Sequence, residues 1–317
     1  MNNLIVSTSP HLSTKTTTQS IMRDVLIALA PAAVASVVLF GIKSLLIISV
    51  CVGTCVLSEF LFNLLAKKKQ TVSDLSACVT GLILALSLSV KTSVWQCIVG
   101  SVFAIVVVKC MFGGIGCNFA NPAATARVFL ITAFANIAGG TATEFQNVLT
   151  AGATPLSAIK DGAAVKELPS LLDMFIGNRG GAIGEGCIIA LVLGGIYLIA
   201  RRVINWQTPV ILIGTVFLLS FAIEGDALLA LYEVLGGGVV FVSFFMATDY
   251  STTPINKYGK MVFAFGCGLV TVLIRFFGSY PEGVSFALLF MNILSPYIEK
   301  WCQKKPFGKE GKKNEEK

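Results

Sequence analysis

Charge is what this sequence has least of. Asp, Glu, Lys and Arg together make up 13% of its 317 residues, against about 25% in an ordinary soluble domain. Apolar residues make up 55%. So large a surplus has no place inside one water-soluble core, and lipid is its natural solvent. Metal-ligand spacing is missing too. There are nine cysteines and one histidine, yet no C-x-x-C pair; Cys110 and Cys117, seven apart, match no common zinc or iron–sulfur spacing. Most of the cysteines lie inside apolar runs, where thiols serve as small buried hydrophobes. Any redox group belonging to this chain is therefore expected to be organic. Residues 1–20 are polar, rich in Ser and Thr, and lack the basic-then-apolar order of a cleaved leader.

What is present is a series of apolar runs near the length that spans about 30 Å of hydrocarbon, roughly 20 residues. They fall at 24–42, 44–66, 74–90, 93–112, 121–138, 184–201, 208–224, 226–247, 260–277 and 281–299. The third is short, and Gly236-Gly237-Gly238 interrupts the eighth. The expectation is an all-α polytopic membrane protein of about ten transmembrane helices. A short segment (1–20) precedes the membrane domain (21–300), and a basic tail (301–317) follows it. Ten crossings put both termini on one side. Basic residues gather on that side: Lys15, Arg23, Lys67-Lys68-Lys69, Arg201-Arg202, Lys257, Lys260 and the tail lysines. The positive-inside rule makes it cytoplasmic and makes the long loop at about 139–183 extracytoplasmic. The net charge of +7 is thus read as membrane orientation, with no nucleic-acid partner. Trp95, Trp206 and Trp301 fall near span ends, where amphipathic rings belong.

Two halves of five spans must enter from opposite sides, which is the arithmetic of an inverted repeat with broken helices. Thr80-Gly81 in span three is matched to Gly236-Gly237-Gly238 in span eight. The turn Gly113-Gly114-Ile115-Gly116-Cys117-Asn118 is matched to Gly278-Ser279-Tyr280-Pro281-Glu282-Gly283.

Three stretches are candidates for chemistry. In the first, from Phe112 to Arg127, Asn121 suits an N-cap and Pro122 a first helical turn, so that helix start is expected to face an anion or a cofactor carbonyl. Asn118 lies just upstream. Arg127 sits inside an apolar helix and needs a partner or a snorkelling route to the cytoplasmic interface. The second stretch, Gly236 to Pro254, carries Thr248 and Asp249; the acid binds a cation, caps a segment or pairs with Lys257. Glu59, Asp74, Glu185, Glu233 and Glu282 are further acids in or beside spans. The third is Thr150-Ala151-Gly152-Ala153-Thr154-Pro155-Leu156 in the long loop. Pro155 pushes Thr154 into an extended conformation. Gly152 and Ala153 leave room beside its hydroxyl, so a modifying enzyme is expected to reach it.

In combination, Ser9-Pro10-His11, Ile21 to Pro31, Gly113 to Arg127, Gly181 to Glu185, Gly236 to Pro254 and Pro281-Glu282-Gly283 resemble the D subunits of Rnf electron-transport complexes and their relative, the B component of the sodium-translocating NADH:quinone oxidoreductase. The resemblance covers roughly residues 9–300, and the short stretch before span one favours the Rnf branch. It implies FMN joined through its phosphate to a threonine hydroxyl, here Thr154, beside Gly152 and Ala153, with Thr150 the runner-up. Ala151 stands where the family pattern often has Ser or Thr, and the nearest upstream acid is Glu144. The resemblance further implies a flavin transferase, the other Rnf subunits (A, B, C, E and G) as partners, and electron transfer between ferredoxin and NAD coupled to Na⁺ or H⁺ movement across the bacterial inner membrane. It leaves open a second, non-covalent flavin such as riboflavin between the spans, and a role for Asn118, Asn121, Arg127, Thr248, Asp249 and Glu282 around flavin or ion. No G-x-G-x-x-G fingerprint follows a strand, so NAD is expected to bind elsewhere. The rival readings are a passive channel or transporter of the same inverted-repeat kind, which broken helices fit equally well, and an inert scaffold for catalytic partners.

Overall fold

The computed structural model describes residues 17–134, 154–160, 168–177, 179–278, 280 and 282–303. Thr150, Gly152, Ala153, the Ser9-Pro10-His11 motif and most of the long loop and tail lie outside the described residues. Within them the chain is helix and connecting turn, with no strand. A bilayer demands this, since every backbone polar group in hydrocarbon must be satisfied inside its own segment.

Each of the ten runs carries helix. Thr17 and Ser20 form a capping box at the start of α1 (Thr18–Phe40). α2 (Ile42–Leu65) follows. A 3₁₀ turn (Val72–Asp74) and Leu75, in left-handed conformation, lead to α3 (Ser76–Ser87). α4 (Val94–Val102) runs on into a π-helical segment (Phe103–Cys110). Then come α5 (Pro122–Ala133), the short α6 (Pro155–Lys160) and α7 (Leu171–Ile176), and α8 (Ile188–Ala200). The last helices are α9 (Gln207–Glu224), α10 (Ala227–Leu235), α11 (Val239–Phe245), α12 (Lys257–Phe277) and α13 (Val284–Cys302).

The crossings are of unequal length. α1, α2, α9 and α12 are long and apolar enough to span alone, and α10 and α11 do so as a pair bent by 55°. α3 and α5 have 12 residues each, a length of about 18 Å, short of the hydrocarbon thickness. Exposed Val34, Val38, Leu57, Leu218 and Leu273 line the outer faces of the long helices, as lipid contact requires. The interior, by contrast, holds charged side chains.

Two halves are evident in the packing. α2 packs on α3 and α4, and α4 on α5; α9 packs on α10, α11 and α12, and α12 on α13. Across the halves the first helices pair, α1 with α8, and so do the last, α5 with α13. α1 and α8 run antiparallel. Asp24, near the start of α1, accepts from Tyr197 Oη at 3.3 Å and from Arg201 Nη2 at 3.2 Å, both at the end of α8. At the opposite end Gly186, just before α8, abuts Phe40. Halves whose first helices point in opposite directions form an inverted repeat.

The matched breaks differ in detail from the sequence alignment of the halves. In the first half the break is at Leu75 (φ 61°), ahead of Thr80-Gly81. Gly81 serves packing instead: a Cβ there would stand 2.8 Å from Val52 Cα of α2. In the second half the break is at the triple glycine, as expected. In both halves a buried cation near the end of the fourth crossing reaches into the broken third. Lys109 Nζ donates to Glu59 Oε2 at 2.8 Å and to Ser76 Oγ, the first residue of α3, at 2.6 Å. Arg275 Nη1 donates to Glu233 Oε2 of α10 at 2.7 Å.

Candidate functional site

Two polar regions lie at opposite ends of the bundle. The first is where α1 ends and α8 begins. Arg127, in the second turn of α5, is buried with its Nη2 2.6 Å from Glu282 Oε2 and 3.1 Å from Glu185 Oε1. Of the two expectations for Arg127, a partner or a snorkelling route, the structure shows the partner, and shows it twice: desolvating a guanidinium is offset only by carboxylates held against it. Arg179 Nη2 donates to the Glu185 carbonyl at 2.9 Å. Glu185 sits at ion-pair distance from Arg127, yet among the described residues neither of its carboxylate oxygens receives a hydrogen bond, and Arg127 Nη1 and Arg179 Nε donate none. The cluster is matched in charge and incompletely matched in hydrogen bonds.

The glycine break of the eighth crossing makes room for these groups. A Cβ on Gly238 would stand 2.6 Å from Glu185 Oε1 and 3.2 Å from Arg127 Nη1. One on Gly237, itself at φ 59°, would stand 2.7 Å from Leu156 Cδ1, 3.3 Å from Arg275 Nη2 and 3.4 Å from Glu282 Cγ. The two glycines therefore let α10 and α11 bend while backbone and charge approach closely.

Leu156 ties the candidate attachment segment to this cluster. Thr154 caps α6: its Oγ accepts from Ser157 N at 3.3 Å and lies 3.1 Å from Ser157 Oγ. Thr154 is 3% exposed and Leu156 is 2% exposed. The expectation of a reachable hydroxyl is not met in this conformation, because the segment folds into a helical turn and docks. At the far end of α6, Lys160 Nζ donates to the Gly278 carbonyl at 2.6 Å.

The second region is at the other end, where α1 begins and α8 ends. A partly open cleft lies between the halves, its roughly 820 Å³ of non-atom space including open solvent. Its walls are apolar at Val25, Val79, Ile83, Phe244 and Phe245, and polar at Asn118, Asn121, Thr248, Asp249 and Ser251. Asn121 accepts from Ala123 N at 3.1 Å and Ala124 N at 3.2 Å, with Pro122 next in line, which is the expected cap. Asn118 Nδ2 donates to Ser251 Oγ at 3.4 Å. Asp249 accepts from Ser251 N at 3.2 Å, Ser251 Oγ at 3.0 Å and Thr252 Oγ1 at 3.3 Å, in place of Lys257. Burial pushes the Asp249 carboxyl up from its ordinary range, against the pull of those hydrogen bonds. Asn292 of α13, with its amide oxygen turned to Asn121 N (3.1 Å) and its nitrogen to the Thr252 carbonyl (3.3 Å), joins the two motif stretches.

The structure thus splits the sequence candidates into two groups. Asn118, Asn121, Thr248 and Asp249 meet around the cavity. Arg127 and Glu282 meet at the opposite end, under the segment that holds Thr154. The cations Lys109, Arg179 and Arg275 were missed as partners. The available signal was that buried acids of apolar runs require buried bases.

The chain has known relatives. The family model described as NQR2, RnfD, RnfE family matches residues 5–308. The chain is 41% identical over 308 residues to the D subunit of the Na(+)-translocating ferredoxin:NAD(+) oxidoreductase complex of Acetobacterium woodii, covering 96% of each. It is 38% identical over 322 residues to the D subunit of the proton-translocating ferredoxin:NAD(+) oxidoreductase complex of Clostridium ljungdahlii, covering 97% of each. It is 32% identical over 339 residues to the D subunit of the ion-translocating oxidoreductase complex of Halorhodospira halophila, covering 95% of this chain and 94% of the other.

Proposed function

The chain belongs to the NQR2, RnfD, RnfE family, and from that premise we propose that it is the D-type membrane subunit of an ion-translocating ferredoxin:NAD⁺ oxidoreductase complex, carrying FMN covalently on Thr154. The observation that carries the role is the match along nearly the whole chain to relatives named for that role. Electron transfer and ion movement belong to the assembled complex, with the other Rnf subunits in the inner membrane. A flavin transferase makes the Thr154 linkage. The basic residues gathered at Lys67-Lys68-Lys69, Arg201-Arg202 and Lys257 support an orientation with both termini cytoplasmic. Thr154 belongs to the opposite end, outside.

Flavin, when bound, supplies the redox chemistry; the chain supplies position and surroundings. At the outer end, three buried arginines (Arg127, Arg179, Arg275) and three acids (Glu185, Glu233, Glu282) form a fixed, charge-balanced floor beside the attachment segment. At the inner end, apolar walls with a rim of amides and hydroxyls, beside Asp249 and the Glu59-paired Lys109, suit a flat aromatic ring with polar edges. A second, non-covalent flavin such as riboflavin is assigned there, held by Asn118, Asn121 and Thr248. Ion identity does not follow from kinship, because relatives of nearly equal similarity are named for Na⁺ and for protons.

The test is mass spectrometry of the purified chain produced beside its transferase. The peptide containing Thr154 is expected to gain the mass of FMN less water, and in-gel flavin fluorescence is expected to vanish in Thr154→Ala. An unmodified peptide in the wild type rejects the proposed linkage.

A further inference from the structure

The segment that holds the acceptor hydroxyl is closed where a transferase needs it open. We propose that Leu156 and Lys160 form a latch that shuts Thr154 away, so that modification and docking of the unmodified segment are mutually exclusive. This rests on the assignment of Thr154 as the flavin acceptor.

Three contacts fasten the segment. Leu156 fills the notch left by the missing side chains of Gly236 and Gly237: its Cγ is 2.9 Å from the Cβ position of the first and its Cδ1 2.7 Å from that of the second. Lys160 Nζ holds the Gly278 carbonyl at 2.6 Å. The Thr154 hydroxyl is turned inward onto Ser157, with Ser157 Oγ at 3.1 Å, Ser157 N at 3.3 Å, and 3% of the residue exposed. A phosphoester cannot form on an oxygen so enclosed. Transfer requires Thr154 Oγ to attack the phosphorus of an activated flavin nucleotide, such as a flavin dinucleotide. The Oγ–P bond forms at the flavin-bearing phosphorus, the phosphoanhydride P–O bond breaks, the other nucleotide half (adenosine monophosphate, when the donor is FAD) leaves, and the hydroxyl proton passes to a base of the transferase. In-line attack needs clear space behind the hydroxyl for a bulky donor. The docked turn denies that space, so the competent conformation is the one with Leu156 out of its notch. Observed transfer is then slowed by the fraction of time the segment spends undocked.

Loosening the latch is therefore expected to speed modification. The experiment uses the full chain in detergent, purified without prior modification, mixed with the transferase, Mg²⁺ and FAD, and followed by in-gel flavin fluorescence with mass confirmation. Leu156→Ala is expected to raise the initial rate about tenfold, since a buried leucine is strongly felt. Lys160→Gln, at a position too exposed to endanger folding, is expected to raise it about two- to threefold. Thr154→Ala is the blank. Faster labelling of Lys160→Gln and of a monodisperse Leu156→Ala supports the latch. Rates equal to wild type in both overturn it while leaving the acceptor assignment intact. No adduct in the wild type or either variant rejects the acceptor assignment itself, and the latch with it.

Discussion

The two polar ends of the bundle solve different problems. The end beneath Thr154 is crowded: charges of both signs are pressed together, glycines replace side chains, and Arg127 touches two carboxylates within 3.1 Å. The opposite end is more open: Asp249 is held by hydroxyl and backbone donors beside a cleft that opens to solvent, and Lys109 on the wall of that cleft is paired with Glu59. Buried charge without room acts as a fixed support. Amides and hydroxyls around a space, with the charged groups Asp249 and Lys109 held by close partners, act as a receptacle. The contrast explains why the triple glycine of the eighth crossing and the amide-rich turn of the first half, both glycine motifs, end in unlike surroundings.

The comparison can be broken in graded ways. The largest effect is expected from Thr154→Ala, which should abolish covalent flavin at the outer end while leaving the melting temperature in detergent close to wild type, because the loss is roughly one hydrogen bond, about 1 kcal/mol. Retained fluorescence would move the acceptor elsewhere, with Thr150 next in line. Arg127→Met should follow, destabilising the chain by about 3–5 kcal/mol because Glu185 and Glu282 lose their cation. A denaturation series on monodisperse protein measures this, and an unchanged stability would show the outer cluster to be no support at all. Thr80→Trp, projecting into the inner cavity from α3, should lower riboflavin binding about tenfold or more by filling the space. Equal affinity in equilibrium dialysis would remove the receptacle. Gly238→Ala should cost about 1–3 kcal/mol by overpacking, since its Cβ would lie 2.6 Å from Glu185 Oε1. The smallest effect is expected from Asp249→Asn, about 1 kcal/mol in stability, for an amide oxygen still accepts from Ser251. A loss larger than that of Arg127→Met would reverse the assignment of support and receptacle.

Much of the architecture was legible in the residues. Apolar run length gave the crossings, and Gly236-Gly237-Gly238 marked a real break. Asn121 and Pro122 announced their helix start. The break at Leu75 was not legible, because a non-glycine residue in left-handed conformation is tolerated only when surrounding contacts hold it, here Lys109 on Ser76. The partners of Arg127 were not legible either: Glu282 lies 155 residues away. The burial of Thr154 was not legible, since it comes from α6 docking on α10.

By itself, the sequence determined the solvent, the helical class and the approximate crossing points, because each follows from composition within a window of about 20 residues. It also determined kinship. Only the tertiary structure decided which charges neutralise one another, where the cavity opens and whether the Thr154 hydroxyl is buried. Those depend on approach between segments far apart in the chain, and local pattern carries no record of such distances.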